Sequence, residues 1–177
     1  MIKSNNNIGI LGGTFDPPHF GHLKISRISI NKLKLNKLIW AVTKQNPFKE
    51  KSLFSIKDRI KRSKKLTKKI KKIKVSYYDQ TIKSSNTIDL IKYLKKINKN
   101  LNIFLIIGSD NLIDFHKWKS WRLIVKMTKI VVFSRKDYDV KGKKSVIVKR
   151  MGEKKIMFIN NKKINISSSK IRKSYLS

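Results

Sequence analysis

Short apolar runs alternate with longer amphipathic stretches along most of this chain, and that alternation admits few folds. Runs at 8–11, 38–42, 73–77, 103–107 and 130–133, with a shorter one at 155–159, have the length of strands. Segments 22–35, 56–69, 87–97 and 121–127 carry helical periodicity. Strands separated by helices predict a parallel sheet, because parallel neighbours need a crossover and helices bury both sheet faces. The expectation is an α/β chain with a doubly wound parallel sheet, as a single domain over residues 1–177. Right-handed crossovers then gather the loops after Leu11, Val42, Tyr77, Ile107 and Phe133 along one sheet edge, where ligands bind in such folds.

The first of those loops holds the densest chemistry. It reads Gly12-Gly13-Thr14-Phe15-Asp16-Pro17-Pro18-His19-Phe20-Gly21-His22, between an apolar run and an amphipathic one. A glycine-rich turn that opens a helix exposes backbone N–H groups beside the positive end of the helix dipole, which suits polyphosphate. His19 and His22 are three apart and project from one side of the first turn. A plain phosphate cradle needs only backbone, so paired histidines point to charge that changes during a reaction. Metal ligation is the weaker reading, since a structural zinc site needs four ligands and the chain adds only His116 and no cysteine. Asp16 is expected to shape the loop through local hydrogen bonds. The dinucleotide fingerprint Gly-x-Gly-x-x-Gly is absent, which disfavours ordinary hydride-transfer enzymes.

Further segments complete a pattern. Ile106-Ile107-Gly108-Ser109-Asp110-Asn111-Leu112 is followed by Phe115-His116-Lys117-Trp118, then by Ile130-Val131-Val132-Phe133-Ser134-Arg135. Near the end comes Ile166-Ser167-Ser168-Ser169-Lys170-Ile171-Arg172. In this order the motifs resemble those of the HxGH nucleotidyltransferase superfamily, and within it the bacterial nicotinate-nucleotide adenylyltransferases of NAD biosynthesis. The resemblance spans residues 8–172. It implies a Rossmann-like sheet and adenylyl transfer from ATP to nicotinate mononucleotide, yielding deamido-NAD and pyrophosphate.

By resemblance, His19 and His22 are the catalytic pair. Gly12, Gly13, Thr14, Phe15, His22, Gly108, Asp110, Ser168, Ser169 and Arg172 would bind ATP, the glycine-rich loop through backbone donors. Lys44, Lys49, Thr87, Trp118 and Arg135 would bind the mononucleotide, with Trp118 stacking on the pyridine. Two departures stand out. Ser169 replaces the family's usual threonine and keeps the hydroxyl. Asn46-Pro47-Phe48-Lys49 has phenylalanine where relatives carry histidine, so one hydrogen bond to the mononucleotide is lost while Lys49 keeps the charge. Mg2+ is implied by the polyphosphate; with no acidic cluster visible, phosphate oxygens and water would supply most of its ligands, and no residue is assigned to metal.

Forty-four basic residues against ten acidic give a formal charge of +34. The lysines are spread along the whole chain, which suits compositional drift better than a selected polyanion surface, and non-specific polyanion binding stays open. Segment 61–74 reads as a solvated helix face, and 136–154, lacking a clear period, as a variable surface connection. No apolar run of about 18 residues occurs, so no membrane span is expected. Lacking cysteine and a secretory signal at its start, the chain is expected to be cytoplasmic. Rival readings are another acceptor such as phosphopantetheine on the same fold, and a nucleic-acid-binding module that retains it.

Overall fold

The computed structural model describes residues 6–45, 51–135, 138–152, 156–160, 168, 171, 172 and 175. Six strands form one sheet: β1 (Asn7–Gly13), β2 (Lys37–Val42), β3 (Ile73–Ser76), β4 (Asn102–Gly108), β5 (Lys129–Phe133) and β6 (Ile156–Ile159). Their order is β3-β2-β1-β4-β5-β6 and every pairing is parallel. The chain works outward from β1 in one direction, then returns to start again at β4. The two halves therefore diverge between β1 and β4, which opens a crevice beyond their carboxyl ends.

Successive strand residues serve opposite cores, as the period of two requires. Ile10, Ile39, Leu105, Ile107 and Val132 pack into one hydrophobic cluster. Their neighbours Leu11, Leu38, Trp40, Ile106 and Val131 pack into the other. The first cluster is closed by α4 (Thr87–Ile97), α6 (Trp121–Met127) and α8 (Val146–Met151). The second is closed by α1 (Phe20–Lys32), with α2 (Ile56–Thr67) against it. Burial on both faces explains why the central strands read as unbroken apolar runs.

Four short elements carry no sequence period: α3 (Asp79–Ile82), α5 (Ser109–Ile113), a 3-10 turn (Phe115–Lys117) and α7 (Asp139–Lys143). The stretch expected to be a surface connection over 136–154 instead contains α7 and α8. Ile147 is fully buried there, and Asp139 ties α7 to the sheet edge through Ser109. Helix α2 presents the solvated face expected of 61–74. Its lysines are exposed, but Arg59, Ser63 and Thr67, spaced by four, are buried against the sheet. Among the described residues no helix is long and apolar enough to cross a membrane.

Candidate active site

Gly12 and Gly13 lie inside β1, in register with Ala41 and Val42, and not in the turn that follows. The turn proper begins at Thr14, so both glycines end the strand rather than open the turn, and their pairing with β4 has already stopped at Leu11. A Cβ built on Gly12 meets nothing within 4 Å, and one on Gly13 meets only Phe15, at 3.7 Å and beyond. Neither packing nor backbone conformation asks for glycine at position 12, yet the position faces a cavity. Phe15 then turns the chain with φ of 49°. A left-handed residue other than glycine costs roughly 1–2 kcal/mol. Its buried ring stacks on Trp40 at 4.8 Å, and Trp40 donates from Nε1 to Ser26 Oγ at 2.8 Å.

His19 is the N-cap of α1. Its Nδ1 accepts from the Gly21 N–H at 3.1 Å, and its own backbone N–H donates to His22 Nδ1 at 3.2 Å. With both Nδ1 atoms accepting, the neutral rings carry their protons on Nε2. The two rings lie 3.9 Å apart between centroids. Burial, reinforced by the positive charge of Arg135, pulls the His19 imidazole down to about 4 from its usual 6.5. His19 is thus a neutral donor at physiological pH. Its Nε2 is buried and lacks a hydrogen-bond partner among the described residues. Buried polar atoms are rarely left so unless a ligand or water completes them.

The cavity sits where the sheet halves part. Gly12 to Phe15 and His22 line it from β1 and α1, Gly108 and Arg135 from the ends of β4 and β5. Thr87 and Trp118 line it beyond α4 and the 3-10 turn, and Ser168 and Arg172 close it from the last helical residues. His19 lines an adjoining groove, with Pro17, Pro18 and Phe20. Glycine at 108 has a packing reason: a Cβ there would collide with Asp110 Oδ1 and stand 3.1 Å from Arg135 Nε. Asp110 itself pairs with Arg135 Nη1 at 2.8 Å. Arg135 is thereby tied to the end of β4, and it lines the same cavity as Thr87 and Trp118. Its backbone N–H donates to Ser109 Oγ and Asp139 Oδ1.

Asp16 does not act locally. Fully buried, it accepts from the backbone N–H groups of Leu53 and Phe54 at 2.8 and 2.9 Å. Arg172 donates to the Asp16 carbonyl at 3.0 Å and sits 3.6 Å from its carboxylate, while Ser168 Oγ donates to the Pro17 carbonyl at 3.0 Å. Thr87 opens α4 after a turn in which Ser84 Oγ donates to Asp89 Oδ2 at 2.7 Å. That bond, opposed by partial burial, holds the Asp89 carboxyl below its usual value. Trp118 keeps one face on Phe115, with 4.8 Å between ring centroids, and also lines the cavity. Lys44 is exposed and outside the cavity wall; its backbone is engaged by Asp79 and Arg59. Lys49 and Ser169 lie outside the described residues. Sequence reasoning missed Thr43, Asp79, Asn111 and Arg59; the first three line the cavity.

An all-parallel, doubly wound sheet with an imidazole pair at a helix start beside a glycine floor defines a nucleotide-binding fold built to hold phosphate. The cytidylyltransferase-like family model matches residues 10–174. A relative from Pelagibacter ubique, "Probable nicotinate-nucleotide adenylyltransferase", is 49% identical over 98% of this chain and 99% of its own length. One of the same name from Ruegeria sp. is 34% identical over 72% of the chain and 67% of the relative. The Plasmodium falciparum nicotinic acid mononucleotide adenylyltransferase complexed with APC shares the fold, with a TM-score of 0.75 and 22% identity over 95% of this chain and 83% of that one. The chain belongs to the cytidylyltransferase-like nucleotidyltransferases and, within them, to the nicotinate-nucleotide adenylyltransferase family.

Proposed function

We propose that residues 1–177 act as one catalytic domain that transfers the adenylyl group of ATP to nicotinate mononucleotide. A phosphate oxygen of the mononucleotide attacks the α-phosphorus, the bond from that phosphorus to the bridging oxygen breaks, and pyrophosphate leaves. Deamido-NAD is the other product. No protein nucleophile is needed, so positioning and charge stabilisation carry the reaction. The observation that best supports this reading is the open floor at Gly12 beside two Nε2–H imidazoles.

In this reading ATP lies across Gly12 and Gly13, with its phosphates over the turn from Thr14 to the start of α1. His19 and His22 donate to phosphate oxygens as charge builds on them. An imidazole N–H suits that task, because it can donate to an oxygen whose charge grows along the reaction. Ser168 and Arg172, reaching the same loop from the far end of the chain, serve the β- and γ-phosphates, with Ser169 beside them in sequence. Gly108 and Asp110 serve the adenosine side, and Arg135, paired with Asp110, serves the mononucleotide. Thr87 and Trp118 form the pyridine wall, with Lys44 and Lys49 on the mononucleotide side. Among the described residues no group of three or more His, Asp or Glu could hold a metal. Mg2+ would arrive as the counterion of the triphosphate, with phosphate oxygens and water supplying most of its ligands.

Pyrophosphate release with ATP and Mg2+ tests the reading, comparing nicotinate mononucleotide, nicotinamide mononucleotide and phosphopantetheine as acceptors. Preference for nicotinate mononucleotide is expected. Turnover only with phosphopantetheine would keep the ATP site and overturn the pyridine wall, and none with any acceptor would sink the proposal.

A further inference from the structure

Arg59 is buried at the start of α2, amid a helix whose other basic residues face solvent. Four of its five N–H donors are engaged, all with backbone carbonyls. Nη1 donates to Thr14 and to Thr43, both at 2.8 Å, Nη2 to Lys44 at 2.9 Å, and Nε to Phe54 at 3.0 Å. These acceptors come from three separate segments: the turn after β1, the loop after β2, and the approach to α2. Thr14 and Thr43 both line the cavity, whereas Arg59 does not. Asp79 holds the second segment from the other side, accepting from Thr43 Oγ1 and the Lys44 N–H. Asp16 holds the third, through Leu53 and Phe54. Burial lowers the guanidinium below its ordinary value while Asp16 nearby opposes the shift, and arginine so far above neutrality stays charged.

We propose that Arg59 is a positioning residue that fixes the spacing between the turn after β1 and the loop after β2, and with it the alignment of the two substrates. The inference rests on the adenylyl-transfer reading above. A planar fork can reach four carbonyls on three segments at once; a lysine ammonium, with three donors on one atom, cannot. Loss of the fork leaves Gly12 and Gly13 in place, because strand pairing holds them. The cost falls on the approach of acceptor to α-phosphorus, where small displacements are expensive.

The experiment compares wild type, Arg59→Lys and Ile130→Ala, the last a buried truncation at the start of β5 that serves as a control for lost stability alone. Each is assayed well below its melting temperature, with kcat taken per folded molecule and ATP affinity from tryptophan fluorescence. Arg59→Lys is expected to lower kcat at least tenfold while the Kd for ATP changes less than threefold, and Ile130→Ala to leave both near wild type. An Arg59→Lys enzyme with wild-type kcat and only a lower melting temperature would overturn the proposal. So would parallel losses in kcat and ATP affinity. A wild type that turns over no pyridine mononucleotide removes the reading beneath the proposal, and the proposal with it; that outcome is distinguishable because it precedes any variant.

Discussion

Replacing Gly12 by alanine should make the protein more stable and less active at once. A Cβ there meets nothing within 4 Å, and the backbone is not left-handed. The folded state therefore accepts the methyl without strain, while the unfolded chain loses freedom. Gly→Ala at a compatible position stabilises by about 0.4–1 kcal/mol. For a chain of this length that raises the melting temperature by roughly 1–4 °C. The methyl enters the cavity floor on which ATP is proposed to lie. Lifting a phosphate off one charge-assisted hydrogen bond costs about 1.5–3 kcal/mol. At ~1.4 kcal/mol per decade, kcat/KM for ATP should fall about 10- to 150-fold. Pyrophosphate release at varied ATP, set beside a thermal melt of the same preparation, reads both numbers. Activity within twofold of wild type would refute the reasoning, because it would mean no ligand atom approaches that floor. A fall in melting temperature would refute the other half, the claim that the site has room.

Three further outcomes follow from the same geometry. The unfolded chain takes up a proton on His19 below about 6.5, which the folded chain refuses until about 4. Stability should therefore fall as pH drops through that window, by about 3 kcal/mol at full extent, and His19→Asn, which keeps a capping oxygen, should flatten that part of the profile. Urea melts of both proteins at pH 7 and 4.5 check it; equal slopes would be the contrary result. Asp16→Asn can satisfy only one of the two backbone donors and should lower stability by about 1–3 kcal/mol, read by the same melts, together with kcat. Trp118→Ala should raise the KM for the mononucleotide about tenfold, with that for ATP nearly unchanged, since stacking on an aromatic wall is worth about 1–3 kcal/mol per base. Equal rises in both would place Trp118 elsewhere.

The strands were legible because burial on both faces forces unbroken apolar runs, and α4 and α6 were legible to their bounds. The short helices were not. A helix of four or five residues, such as α3 or α7, completes too little of two turns to show a period, and long-range ties decide whether it forms. Asp139, which holds α7 through Ser109 thirty residues away, is an example. The same limit governed the site. His19 and His22 could be placed together because their spacing is local. Asp16 could not, as its partners lie 37 and 38 residues on. Arg59 was hidden by composition, since one buried arginine among forty-four basic residues carries no mark in the sequence. The ion pair of Arg135 with Asp110 was equally out of reach, because it joins residues that follow two different strands.

The bonds from Ser168 to Pro17 and from Arg172 to Asp16 join points 151 and 156 residues apart. During synthesis, at about 5–20 residues per second, roughly 8–30 s separate the emergence of the two partners. Throughout that interval a nascent chain with its first strands assembled still lacks the far wall of the crevice. The crevice is thus completed only once residues 168–172 have emerged, and until then the ribosome carries a half-walled site.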